Sequence, residues 1–211
     1  MNDTQLGAGR QRRAFWLKHL HQWHWISSAI CLLGMILFAI TGFTLNHAGE
    51  IEAHPQVVKR QAQAPDALLV RLTDTPHKDK GPVPDALADW LHTSLAIEAA
   101  GREAEWSADE IYVALPRPGG DAWVSVDLQS GETQYELTTR GWISYLNDLH
   151  KGRNTGAAWR WFIDIFAFAC LVFSVTGLFL LKLHAGNRVA TWPLVGFGLV
   201  APLLLVILFI H

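Results

Sequence analysis

The stretch that decides the fold is WISSAICLLGMILFAITGFTL, residues 25–45, which contains no charged side chain. A helix needs about 20 mostly apolar residues to cross the ~30 Å hydrocarbon core of a bilayer. Two later blocks have the same character: residues 161–181 (WFIDIFAFACLVFSVTGLFLL), with Asp164 as their one charge, and residues 192–210 (WPLVGFGLVAPLLLVILFI). We therefore expect a membrane α-helical protein with three transmembrane helices, placed at residues 25–46, 158–182 and 192–211.

Composition supports this class, because half of the 211 residues are hydrophobic and ten are tryptophan. The net charge of -2 does not indicate nucleic-acid binding. Both cysteines, Cys31 and Cys170, fall inside predicted spans. We expect them to fill space as small core residues, without a disulfide between them.

A cleavable export signal is the alternative explanation of the first apolar block. Residues 12–18 (RRAFWLK) resemble a twin-arginine signal. The apolar run is longer than a typical signal core, however, and residues 44–47 (TLNH) stand where a small-x-small cleavage site would follow. The sequence favours an uncleaved anchor.

Basic residues predict the orientation in the membrane, since short cytoplasmic flanks are enriched in Lys and Arg. The segments 1–24 and 183–191 are therefore expected to be cytoplasmic, and residues 47–157 and the C-terminus at His211 to lie on the outer side. The basic residues are Arg10, Arg12, Arg13, Lys18, Lys182 and Arg188. Tryptophans fit interfacial belts at both edges: Trp16, Trp23, Trp25, Trp142, Trp159 and Trp161.

The segment between the first two spans predicts a small α+β module. Residues 50–81 look like an extended lead-in, and residues 84–95 (PDALADWLHTSL) show helical spacing. Three β-rich runs separated by turns then predict an antiparallel meander, at residues 109–115, 122–128 and 133–138. Such a module is too small to hold much core alone. Residues 142–150 (WISYLNDLH) predict an amphipathic, interfacial helix.

Five short motifs, in order along the chain, resemble the PepSY-associated transmembrane family. They are residues 41–47 (TGFTLNH), 126–132 (VDLQSGE) and 149–152 (LHKG), then Asp164, then residues 176–180 (TGLFL). The resemblance spans roughly residues 18–184 and implies a protein of the bacterial inner membrane with a PepSY-like periplasmic module. Larger members have four spans, and some are haem-containing reductases of ferric siderophores. This chain departs from them in having three spans and one module.

Four histidines mark the ends of the first two spans: His24, His47, His150 and His184. In antiparallel helices His47 and His150 would share one layer, and His24 and His184 the other. Imidazoles from facing helices can hold a haem iron from both sides, and polar groups at membrane depth favour a functional interpretation. Histidine also fits a membrane interface without any ligand, as an amphipathic side chain.

The resemblance and the histidines together predict one or two b-type haems. His24 and His47 are about 34 Å apart along a helix at 1.5 Å per residue, so two haems at these extremes would exchange electrons poorly. We place more weight on His47 and His150, with His21 as the substitute for His24. Two helices would cover a haem on only a few sides. A homodimer or a larger membrane complex would supply the remaining protein surfaces.

Three further features are ambiguous. His19, His21 and His24 are spaced as the ligands of a metal site could be, but no carboxylate or thiol lies near them to complete the ligand set. Asp164 either neutralises Arg160, four residues before it, or orients a haem-ligating histidine through its second ring nitrogen. The Thr-Gly pairs at residues 41–42 and 176–177 admit either a flat macrocycle or close helix packing.

Three functions remain open from the sequence. The first is electron transfer through haem, with reduction of a periplasmic ferric chelate such as a ferric siderophore. The second is a non-catalytic, membrane-anchored PepSY module that docks a periplasmic partner. The third is an assembly subunit of a larger metal-uptake complex.

Overall fold

The computed structural model describes residues 3–52, 54–74, 78–186 and 188–210, with side chains from residue 11 onward. The expectations for the Arg10 side chain and for His211 lie outside this part of the chain. Two compact units are present, residues 1–36 with 164–211 and residues 37–163. We describe each by itself.

Three helices are long and apolar enough to cross a membrane: α1 (Asp3–Asn46), α5 (Gly156–His184) and α6 (Thr191–Phe209). This confirms the three predicted apolar helices. Helix α1 is longer than expected, because it runs through most of the segment assigned to a cytoplasmic N-terminus. Its apolar part is counted as a candidate span from Gln11 onward.

In the first unit, α1 and α5 approach closely at Gly34, which has no side chain. A methyl group on Gly34 would overlap the ring of Phe166, so the phenyl ring occupies the space that glycine leaves. One turn earlier on α1, Cys31 is fully buried and its thiol donates to the Met35 sulfur at 3.7 Å. Cys31 and Cys170 are both free thiols.

The second unit contains a six-stranded antiparallel sheet in the order β1-β6-β5-β4-β3-β2. Its strands are β1 (Gln56–Gln63), β2 (Lys80–Pro82), β3 (Glu103–Trp106), β4 (Glu110–Ala114), β5 (Gly120–Asp127) and β6 (Glu132–Thr139). Helices α2 (Asp66–Asp74) and α3 (Asp85–Leu95) belong to this module, and α4 (Trp142–Lys151) follows the sheet.

The three expected strands are confirmed as the consecutive antiparallel strands β4, β5 and β6, which form half of the six-stranded sheet. Two other expectations about this module are wrong. The expected extended lead-in is in fact β1, α2 and β2. The module also holds a substantial core of its own, built from alternate residues of β4 and β5 and from one face of α2 and α3. The members with no exposed surface are Leu87, Leu91, Ala104, Ile111, Val113, Val124 and Val126.

The turn between β5 and β6 is stabilised by one carboxylate. Asp127 accepts hydrogen bonds from the backbone amides of Ser130 and Gln129, at 2.6 and 2.9 Å. Because these donors favour the charged carboxylate, Ser130 first, the pKa of Asp127 is lowered from its ordinary value. The predicted turn at residues 129–132 is therefore well defined.

Candidate functional site

Two imidazoles meet in the first unit, His21 of α1 and His184 of α5. Their ring centroids are 5.7 Å apart and their planes are perpendicular. Nδ1 of His21 lies 2.8 Å from the carbonyl oxygen of Leu17, and Nδ1 of His184 lies 2.8 Å from that of Leu180. A carbonyl oxygen only accepts, so each Nδ1 donates and each neutral ring keeps the lone pair on Nε2.

His24, expected to be the partner of His184, instead packs against the middle of α5. Its ring stacks on Phe173 at 4.7 Å, and its Nδ1 lies 3.0 Å from Oγ1 of Thr176 and 3.2 Å from the Phe173 carbonyl oxygen. The ring also covers Gly177, where a Cβ would meet it at 3.3 Å. His184 therefore pairs with His21, the residue named in the sequence analysis as the substitute for His24.

His150 makes a matching contact in the second unit. Its Nδ1 lies 2.7 Å from Oγ1 of Thr41, its ring lies 4.9 Å from that of Phe38, and a Cβ on Gly42 would meet it at 3.5 Å. The Thr41 hydroxyl also lies 3.0 Å from the carbonyl oxygen of Leu37. When the hydroxyl donates its one proton to that carbonyl, it accepts from Nδ1 of His150, and a neutral ring then keeps its lone pair on Nε2.

These two contacts share a sequence motif that the sequence analysis missed. Residues 38–42 (FAITG) and residues 173–177 (FSVTG) both read Phe-x-x-Thr-Gly. In each copy the phenyl ring, the hydroxyl and the bare glycine backbone lie on one helix face, because they are spaced three and four residues apart. Each copy holds one histidine, so the Thr-Gly pairs serve as imidazole cradles. Comparison of the two apolar blocks would have revealed the repeat.

His47 does not meet His150 within one chain. Nine residues separate it from Phe38, about two and a half turns of helix, so it lies on the face of α1 opposite the one that His150 contacts. Its ring packs on Phe43 at 4.6 Å, and its Nδ1 lies 3.2 Å from a carboxylate oxygen of Glu50. The expected pair is not formed, for this angular reason, while the role of either residue as a haem ligand stays a prediction.

The carboxylate expected to orient a histidine is also differently placed. Asp164 is exposed, and none of the described histidines of its unit hydrogen bonds to it. Glu50 makes that kind of contact instead, with His47. Among the described residues, no group of three or more His, Cys, Asp and Glu side chains is arranged to hold a metal ion.

The second histidine cradle is joined to the end of α4. Thr44, one turn after Thr41 on α1, donates to the buried side-chain oxygen of Asn147 at 2.8 Å. Trp159 donates its indole N–H to the carbonyl oxygen of Leu149 at 2.9 Å. These bonds hold the last turns of α4, and with them His150, in place.

Three apolar helices, with a self-contained α+β module inserted between the first two, define a class of membrane-anchored protein with one extramembrane domain. The histidine contacts add imidazoles that pack against the first two of these helices. The chain belongs to the PepSY_TM-like family, whose model matches residues 15–211. Searches of curated proteins and of solved structures gave no significant match.

Proposed function

We propose that this chain is a b-type haem protein of the bacterial inner membrane that transfers single electrons, with His21 and His184 as the two axial ligands. The observation that carries the proposal is the distance between their rings. An iron about 2 Å from each Nε2, the usual imidazole distance of first-row metals, would set the two centroids roughly 6 Å apart. The observed separation is 5.7 Å.

The hydrogen bonds of both rings support the same assignment. A ligating histidine usually donates its other ring N–H to a carbonyl or carboxylate, which fixes the tautomer and the ring orientation. His21 and His184 each do so, through the carbonyl oxygens four residues earlier on their own helices. Both side chains are exposed in the single chain, so the space beside them is open to a flat ligand.

A bound haem would supply reversible one-electron chemistry. The role of the chain would then be to accept electrons in the membrane for the reduction of a ferric chelate, such as a ferric siderophore. His21 lies 25 residues before the end of α1, about 38 Å of helix at 1.5 Å per residue. Direct transfer over that length would be poor, so the proposal requires a further electron carrier between His21 and the PepSY module. His150 and His47, which do not meet within one chain, would hold a second haem only between subunits. A homodimer would supply the remaining walls around a haem.

Haem content of histidine variants tests the proposal. Full-length protein, purified in detergent from haem-replete cells, should show a Soret band, and His21→Ala or His184→Ala should lose most of it. The matched control is His19→Ala, because His19 lies on the same helix and bonds the carbonyl oxygen of Phe15 in the same way. Equal haem content in all three variants would refute the ligand assignment.

A second function is favoured by the self-contained core of the module, which needs no packing on other elements to bury its apolar face. The chain would then be a membrane-anchored docking module without catalysis. In that case, crosslinking would recover one stable partner, and uptake of iron would be unchanged in the His21 and His184 variants. Iron uptake that fails in those variants would exclude it.

A further inference from the structure

The module carries a groove of about 650 Å³ between the end of α3, the β4–β5 turn and the start of α4. Its volume lies within the range of small-molecule sites, roughly 300–1,000 Å³. Two arginines line it, Arg102 and Arg117, and no described residue pairs with either guanidinium. Trp142 and Tyr145 of α4 also line it, with exposed fractions of 69% and 46%.

Arg117 stands on a turn that is fixed from three sides. It lies between Pro116 and Pro118, whose rings restrict the backbone. The following Gly119 adopts φ +71°, and an added Cβ would lie 2.7 Å from the Tyr145 backbone, so only glycine fits there. The buried carboxylate of Asp148 accepts the Gly119 amide at 2.8 Å. The turn is therefore held against α4 before any ligand arrives.

Arg102 is placed by a second ordered turn. Its amide donates to the carbonyl oxygen of Ala99 at 3.1 Å, and its own carbonyl oxygen accepts from Val83 at 2.9 Å. A third guanidinium, that of Arg60, lies 5.9 Å from the ring of Tyr135, another lining residue. Arg60 does not line the groove itself, since its guanidinium donates to the carbonyl oxygen of Leu95 at 2.7 Å. The positive charge of the lining comes from Arg102 and Arg117.

One carboxylate opposes this charge. Glu98 lines the groove, and its side chain lies 3.0 Å from Nε2 of His92. The described lining residues thus include two unpaired cations and one anion that already has a partner. Guanidinium groups bind carboxylates through two parallel hydrogen bonds, and they stack on aromatic rings such as those of Trp142 and Tyr145.

We infer that this groove binds a small molecule with two or more carboxylates, and that the substrate is a ferric chelate whose iron is held by carboxylate groups. The identity of the substrate rests on the proposed function, whereas binding of the polycarboxylate does not. Since both arginines stand on turns fixed by backbone hydrogen bonds, the backbone needs little ordering on binding, whereas the two exposed side chains become ordered. A neutral chelate would leave both guanidinium groups without a partner.

Binding is measured by calorimetry on the full-length protein in detergent, with gallium(III) citrate as the probe, because gallium(III) does not accept electrons. Arg102→Gln and Arg117→Gln should each weaken binding about tenfold, the equivalent of about 1.4 kcal/mol. Glu98→Gln should strengthen it a few-fold, since it removes the opposing charge. Arg71→Gln, an exposed arginine of α2 outside the groove, is the matched control and should bind as the wild type does.

Two further binding measurements distinguish what the groove recognises. Citrate without metal should bind more weakly than the gallium complex if the site recognises a chelate, and a neutral hydroxamate complex of gallium should not compete. Equal binding by the arginine variants, or full competition by the neutral complex, overturns the inference. Gallium citrate bound normally by protein that contains no haem would keep this inference and overturn the proposed function.

Discussion

Asp148 offers a prediction that can be worked out in detail, because its buried carboxylate bonds a single amide. In Asp148→Ala, the Gly119 N–H loses its 2.8 Å acceptor and remains buried. A hydrogen bond to a charged group contributes about 1.5–3 kcal/mol, and a buried donor without a partner is costly. A loss of about 2 kcal/mol in the local free energy of opening corresponds to roughly thirtyfold faster exchange.

Hydrogen–deuterium exchange with mass spectrometry measures this in the full-length protein. Peptides that cover residues 116–121 should exchange roughly thirtyfold faster in Asp148→Ala, because local opening exposes the Gly119 amide. Asp148→Asn keeps an acceptor oxygen and should show a much smaller rise. The turn at residues 129–132, held by Asp127, serves as the internal reference. Unchanged exchange at 116–121 would refute the claim that Asp148 holds this turn on α4.

Two other substitutions test the helix contacts. Gly34→Ala should lower the free energy of unfolding by about 1–3 kcal/mol, because its methyl group would overlap Phe166. Thermal unfolding in detergent measures this change. The control is Gly196→Ala, which adds a methyl group in open space and should change the melting temperature little. Thr41→Val should lower the melting temperature by an amount equivalent to about 1–3 kcal/mol, since it removes the side-chain hydrogen-bond partner of Nδ1 of His150. A melting temperature equal to that of the wild type would show that this bond contributes nothing.

The sequence predicted the parts of the fold that local pattern determines. Three uncharged or nearly uncharged blocks gave the three apolar helices, and the alternation in residues 122–128 gave β5. Strand β1 was missed because QVVKRQAQ is exposed on both faces and becomes a strand by pairing with β6, far away in the chain. The position of β1 is decided by tertiary contacts, which the hydrophobic periodicity of the sequence does not reveal.

The candidate site was predicted by residue type but not by pairing. The sequence analysis paired the histidines by their depth along the helices, His24 with His184 and His47 with His150. Depth alone ignores the angle of each residue around its helix. Counting turns from Phe38 places His47 on the opposite face of α1, but only the structure shows that His150 contacts the Phe38 face. The pairing of His21 with His184 likewise depends on how α5 is rotated against α1.

The most direct test of the central claim is the electron paramagnetic resonance spectrum of the oxidised, full-length protein. Ligation by His21 and His184 with their planes perpendicular, as observed, predicts a low-spin ferric haem with the highly anisotropic signal of crossed imidazole planes. The signal should disappear in His184→Ala and persist in His19→Ala. A colourless preparation from haem-replete cells, or a high-spin signal that His184→Ala leaves unaltered, would contradict the account.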